Sequence, residues 1–550
     1  MIGKFFDKIL AEDEEITEKV RNKNTGKERK KFRTKGFVWL VLIFLLAFVS
    51  RLIILLIVTK PGYGVIGDVF HHWQIAYLSK TVGFEHGFLR LWDFKGMEFY
   101  WGLLHPLVLI LGFTISQSVS ILVPQMISII FGSLSVVVVF LIVERDFNKK
   151  AAIASALFLS TIPTVLFHDT VGLQEPLGLF FLLLGIYLFS NKPFAAGFSW
   201  MLAGMVRSEY WIFGALLLLA SLVRSKKLEN SIFAFFGYII PCIFYMKYML
   251  NYTGNAIYPI YWNYMAIGLG KWSNGVKIVL NPTLQLIKLT CRILTASFLI
   301  TALITLWKRP KSYLFLFLGF IYFAFNFSLF GFGSHFNTLA HYYVGFESWF
   351  EIISDIGVGK VLAFPEGFLG ILTAISLFYF LPKKLGRRVI PLSILTFLVG
   401  LGVTQFMWAP IKKHYNLKSE ETKPAQEIAR VIANKYTGKG TILVPAGAPN
   451  LSYLLVYYEG ISGEKMLSSF YSPFYYYKGE DPFSEWNTFR EEIIDWLEVS
   501  NAELFITTLS DFGDEKEELK DIGKMFILEE GKLFILLDEI RGYKIYGVKL

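Results

Sequence analysis

The sequence predicts a polytopic α-helical membrane protein with about eleven spans, followed by a C-terminal α/β soluble domain. Three observations predict it. Of 550 residues, 54% are hydrophobic and only 18% charged, and the mean hydropathy of +0.48 lies well beyond a soluble average. Apolar stretches near the length a bilayer needs, about 20 residues, recur from 37 to 408, whereas 409–550 has ordinary globular composition. Lysine and arginine concentrate in residues 1–36 and in short loops between apolar runs, as the positive-inside rule requires. The net charge of +10 therefore reports membrane orientation, and no nucleic-acid partner is expected.

Residues 1–36 are charged throughout and mixed in sign, without the short basic start and cleavage site of a signal peptide, so they are placed in the cytoplasm. Cys242 and Cys291 both fall in apolar stretches, which excludes a zinc site or a disulfide framework.

Apolar stretches lie near 37–59, 120–143, 151–167, 176–190, 194–206, 210–223, 231–249, 283–306, 312–332, 364–381 and 389–408. A further one, 102–119, decides the parity. Laid at the outer surface, it puts Arg145 with Lys149 and Lys150, Arg224 with Lys226 and Lys227, Lys308 with Arg309 and Lys311, and Lys383 to Arg388 all inside. The short segments 194–206 and 210–223 keep that parity only as a hairpin turning near Arg207. The chain thus divides into a cytoplasmic segment 1–36, a membrane body 37–408 with an outer loop 60–119, and an extracytoplasmic domain 409–550. The expected location is the cell membrane, with multiple passes. The glycosylation-type tripeptides at Asn251 and Asn450 both fall outside under this threading.

In the first outer loop, Phe70, Trp73 and Tyr77 recur at helical spacing after Gly67-Asp68, which predicts a helix lying in the interface. Asp68 would open it, either as an N-cap alone or with a further role, since it follows the first span closely. His71, His72, Trp92-Asp93-Phe94 and Tyr100 to Leu107 follow. Further on come Leu173-Gln174-Glu175-Pro176-Leu177 and Met205-Val206-Arg207-Ser208-Glu209. Glu175-Pro176 is also a favourable helix start, and Arg207 also suits a snorkelling anchor.

This order resembles the GT-C superfamily of membrane glycosyltransferases, and most of all its lipid-linked-mannose-dependent branch, where a Trp-acidic-aromatic stretch occupies the place of Trp92-Asp93-Phe94. Glu175 resembles the second acidic landmark of the superfamily, Arg207 its arginine-containing apex, and His341-Tyr342-Tyr343 its phosphate-facing His or Arg beside tyrosine. The resemblance implies a GT-C-like membrane domain that transfers a sugar from a polyprenyl (dolichyl) phosphate to a glycan, lipid or protein acceptor. It implies catalytic roles for Asp68 and Glu175, and substrate contacts from Arg207, His341, His71, His72, Trp92, Asp93 and Tyr342. The oligosaccharyltransferase branch uses acidic residues in the same two loops for a metal, so a divalent ion, magnesium or manganese, stays open, with Asp68 and Glu175 as its ligands. The Trp-Trp-Asp hallmark of that branch is absent, since 484–488 read Ser-Glu-Trp-Asn-Thr, and it stands second. A non-enzymatic transporter or scaffold stands third, because no half-to-half repeat is visible.

The chemistry suits these residue types. A hydroxyl acceptor must lose a proton, which a carboxylate takes. The departing phosphate needs positive charge and donors where its own charge grows. Direct displacement inverts the anomeric centre.

In the tail, 422–436 and 491–498 predict helices, and 441–445, 504–508, 525–528, 533–537 and 543–548 predict strands, with a charged helix near 513–521. No Gly-rich phosphate loop occurs there, so a nucleotide-sugar site is not expected.

Overall fold

The computed structural model describes residues 26–64, 67–81, 102–161, 163–224, 228–263, 371, 374, 375, 379, 425–445, 449–468, 484–507 and 533–549. The predicted spans 283–306, 312–332 and 389–408, and nearly all of 364–381, lie outside the described residues.

Helix α1 (Gly26–Ile54) runs on through a π-helical turn, Leu55–Thr59. After it come α2 (Gly67–Thr81), α3 (Leu104–Ser116), α4 (Leu122–Asp146), α5 (Lys149–Leu159), α6 (Pro163–Val171), α7 (Glu175–Leu188), α8 (Pro193–Gly204), α9 (Ser208–Arg224), α10 (Leu228–Thr253) and α11 (Tyr258–Asn263). Among the described residues three helices, Phe37–Thr59, Leu122–Asp146 and Leu228–Thr253, are long and apolar enough to cross a bilayer. The apolar run predicted as 151–167 is divided between α5 and α6, and α6 and α7 meet at a bend of 116°.

Helix α4 is the centre, packed by α1, α5, α6 and α7. Helix α1 lies at the edge, where Leu42, Leu45, Val49, Ile53 and Leu56 stay exposed, an outward apolar face that suits lipid. Helices α8 and α10 approach at backbone distance, because a Cβ at Gly197 or Gly237 would collide with the carbonyl of Ala234 or Phe194. Helix α3 has 13 residues, about 20 Å of length, short of the ~30 Å hydrocarbon core. Its Leu109 and Phe113 are buried while Leu111 and Ile115 are exposed, so it presents one face to the protein and one away from it.

The soluble domain is a five-stranded sheet in the order β2-β1-β3-β5-β4, with β1 (Thr441–Val444), β2 (Met466–Ser468), β3 (Ala502–Thr507), β4 (Phe534–Ile540) and β5 (Tyr543–Val548). Strand β1 is parallel to β2 and β3, while β5 is antiparallel to both β3 and β4. Arg541 and Gly542 join β4 to β5 with φ of 50° and 82°, the left-handed pair that a two-residue hairpin turn demands.

Alternation along the strands separates two cores. Leu443, Phe505 and Phe534 face α14 (Trp486–Val499) through Phe489, Ile493 and Leu497. Ile442, Val444, Leu504 and Ile506 pack with a helix over 425–435, α12, and with α13 (Pro449–Tyr457). The predicted α/β tail is present, with β2 and α13 in addition. The predicted helix 513–521 and strand 525–528 lie outside the described residues.

The Glu503 carboxylate receives the backbone N–H of Thr437 and, at 2.8 Å, that of Gly440. Partial burial pushes its pKa up, but these bonds outweigh it and hold the carboxyl below its usual range. A depressed folded pKa contributes stability above the unfolded value and loses it as pH falls through the folded one. Glu503→Gln is therefore expected to lower the melting temperature at neutral pH and to match wild type once pH falls below the folded carboxyl pKa, as read by thermal unfolding across pH.

Candidate active site

The chain leaving α1 is fixed by one side chain. Gln125 of α4 accepts a hydrogen bond from Gly62 N at 2.9 Å and donates to the carbonyls of Tyr63 at 2.9 Å and Lys60 at 3.3 Å. The next element is α2, whose second residue is Asp68. Its backbone is helical, and its side chain lies outside the description. Helix α2 carries His71 and His72, and the His72 ring meets His105 of α3 edge-on with centroids 4.9 Å apart. Burial holds His71 down to about 3. Burial, then the charges of His105, His71 and Arg207, hold His72 well below its usual range. Burial thus favours the uncharged form of both rings.

Gly102 brings α3 against the break between α8 and α9. It has φ 125°, and a Cβ there would collide with the carbonyls of Met205 and Val206, so only glycine fits. Leu104 N then donates to Met205 O at 2.9 Å. The junction of two short helices thereby sets Arg207 beside the histidines of α2 and α3.

The other wall is the bend between α6 and α7. Gly172, at φ 100°, turns the chain, and Glu175-Pro176 opens α7. Glu175 is 6% exposed, and its Oε1 accepts from Arg207 Nη1. The His168 Nε2 stands 3.9 Å from Glu175 Oε2, and its Nδ1 stands 3.5 Å from Asp169 Oδ1. Asp169 Oδ2 in turn accepts from Arg51 Nε at 2.8 Å and Nη2 at 2.6 Å, while Arg51 Nη1 donates to Ala47 O at 3.0 Å. Gly132 makes room, since a Cβ there would collide with the Asp169 carboxylate.

Five ionisable groups thus run in alternation, Arg51, Asp169, His168, Glu175 and Arg207, from inside the first span to the break at Arg207. A small cleft opens beside the inner end, lined by Val136, Val139, Leu179 and Leu183 together with Arg51, His168 and Asp169.

Of the predicted site residues, the structure brings together Glu175, Arg207 and His72, with His71 on the same helix. Trp92, Asp93, His341 and Tyr342 lie outside the described residues. Sequence reasoning missed Arg51, His105, His168 and Asp169. An arginine in an apolar span was the available signal, because such a charge needs a buried partner. The possible metal was assigned to Asp68 and Glu175. The Asp68 side chain lies outside the described residues, and Glu175 Oε1 is taken up by Arg207. Among the described residues no cluster of His, Cys, Asp and Glu has the arrangement to hold one.

No family model matches the sequence, and no curated protein does. Solved structures do match. The crystal structure of ArnT from Cupriavidus metallidurans bound to undecaprenyl phosphate aligns with a TM-score of 0.56 at 12% identity, covering 93% of this chain and 98% of that one. The apo form of ArnT from the same organism aligns at 0.51 with 13% identity over the same shares. The Archaeoglobus fulgidus oligosaccharyltransferase in its apo form reaches 0.48 at 12% identity, covering 86% of this chain and 70% of that one. The fold is that of ArnT over nearly the whole length of both chains.

Proposed function

We propose that the protein is a membrane glycosyltransferase that moves a sugar from a polyprenyl (dolichyl) phosphate to a hydroxyl acceptor on the extracytoplasmic side, with inversion. The observation that carries this reading is Arg207, a cation at a helix break, fixed by buried Glu175 and flanked by His72. It stands in a chain whose fold is shared with a protein crystallised with undecaprenyl phosphate.

In this mechanism Asp68 takes the proton of the acceptor hydroxyl as its oxygen bonds to the anomeric carbon. The bond from that carbon to the phosphate oxygen breaks, and polyprenyl phosphate leaves with the electron pair. Arg207 neutralises the charge that grows on the phosphate, and Glu175 orients the guanidinium so that no reorganisation is needed during reaction. The imidazoles of His71 and His72 contribute neutral hydrogen-bond donors. Trp92, Asp93, His341 and Tyr342 complete the substrate contacts. Glycan, lipid and protein hydroxyls all satisfy the acceptor chemistry.

The test is purified full-length protein in lipid nanodiscs, given a panel of polyprenyl phosphates carrying labelled hexoses, mannose among them, and labelled pyrophosphate-linked oligosaccharides, together with a membrane lipid, glycan and protein extract. Release of polyprenyl phosphate matched by label on an acceptor is the expected result. Turnover restricted to pyrophosphate-linked oligosaccharides would move the protein to the oligosaccharyltransferase reading, and no turnover with any donor would overturn both.

A further inference from the structure

Among the described residues the soluble domain meets the membrane body on α2, whose second residue is Asp68. Tyr453 of α13 is 2% exposed. Its ring lies edge-on to Trp73 at 4.9 Å and tilted against Phe70 at 5.5 Å, both on α2. Its hydroxyl oxygen accepts a hydrogen bond from Ile121 N at 3.3 Å, in the turn between α3 and α4. Trp73 is fixed from the membrane side as well, since its Nε1 donates to Val119 O at 2.6 Å. Phe70 packs so closely on Gly64 that a Cβ there would collide with its ring. At the far end of α2, Tyr77 stacks on Trp73 with planes 6° apart, and its hydroxyl takes a hydrogen bond from the backbone of Gly463 in the soluble domain.

Helix α2 is therefore held along its length between two bodies. On one side are α3 and the turn 118–121, and on the other are α13 and the turn at Gly463–Lys465. Phe70 and Trp73 are two and five residues from Asp68, within the first two turns of the helix. A shift in their seat moves the start of α2 by a comparable amount. Helices opened by an unpacked interfacial loop fray at their first turn, and Asp68 sits in that turn.

We infer that the C-terminal domain works as a clamp on the interfacial helix, with Tyr453 as a positioning residue that sets where Asp68 stands. This rests on the proposed role of Asp68 and goes beyond it, because it assigns the soluble domain a part in turnover without any substrate contact of its own. Misplacement of a reacting group by about 1 Å costs on the order of 10²-fold, so loosening the clamp acts on kcat. Donor binding, which depends on Arg207 and the α6–α7 bend, is left in place.

The test compares Tyr453→Ala with Tyr453→Phe in the full-length protein, by hydrogen exchange and by steady-state release of polyprenyl phosphate from the best donor found above. In Tyr453→Ala, amides of 67–81 are expected to exchange at least about tenfold faster. Its kcat should fall about 10- to 100-fold while KM for the donor stays within about twofold. Tyr453→Phe keeps both ring contacts and should restore protection and kcat to within about threefold. If Tyr453→Ala does not fold, Tyr453→Leu takes its place under the same criteria. Unchanged exchange in α2, unchanged kcat, or a loss confined to KM overturns the clamp. A wild-type protein that turns over no donor would sink the transferase reading instead, and the exchange arm would still judge the clamp.

Discussion

Asp68→Asn is expected to lower sugar transfer by about 10² to 10⁴, the usual contribution of a positioned proton acceptor, with donor binding and folded yield close to wild type. Asparagine keeps the size of the side chain and its ability to cap a helix, so α2 should begin as before. The substitution removes the acceptor for the hydroxyl proton and nothing else of comparable weight. Donor affinity, measured by exchange of a labelled polyprenyl phosphate, rests on Arg207 and should stay within a few-fold. An Asp68→Asn protein that turns over at wild-type rate would take the base role away from this residue. A protein that instead lost donor affinity would place Asp68 among the lipid-phosphate contacts. The two outcomes separate because kcat and binding are read independently.

The broad architecture was legible because it is written in composition and period. The bilayer demands long apolar runs, and the tail carries the short continuous apolar runs of strands buried on both faces, as in Leu504-Phe505-Ile506. The break at Arg207 was legible too, because the short apolar segments on either side of it keep the parity of the basic loops only as a hairpin. What was not legible is pairing across the chain. Glu175 and Arg207 are 32 residues apart, and Arg51 and Asp169 are 118 apart, and their partnership depends on helix register that no local pattern carries. Arg207 could be weighed locally only against Glu209, two positions on and facing elsewhere on a regular helix. His105 was read as part of a Pro-Leu segment, because its significance comes from Gly102 docking on Met205 and Val206. Strand β2, at three residues, is too short to show a period. Tyr453 is one of several tyrosines in a row of aromatics, distinguished only by the helix it meets.

Arg51→Met is expected to destabilise the membrane body by about 3 to 5 kcal/mol, the cost of leaving one member of a buried ion pair alone. Arg51 lies eight residues before Thr59 at the end of the first span, about 12 Å along the helix, so it sits at hydrocarbon depth with its side chain 1% exposed and that of Asp169 8% exposed. Methionine fills much of the volume but returns no donor to Asp169 Oδ2, which now accepts two from the guanidinium. Water has little access there, and the carboxylate is left with His168, whose Nδ1 stands 3.5 Å from Oδ1. Asp169→Asn in the same background removes the stranded charge, and the double variant should recover more than half of the loss, a coupling that a double-mutant cycle reads directly. Denaturant midpoints in mixed micelles measure both. The effect should also travel outward. Asp169 steadies His168, His168 faces Glu175, and Glu175 holds Arg207, so the single variant should weaken donor binding more than a lipid-facing substitution such as Leu45→Ala, whose side chain is 47% exposed. Equal midpoints for wild type and Arg51→Met would mean that the pair adds nothing to stability. The line of ionisable groups would then be an accident of packing, with no part in framing the site.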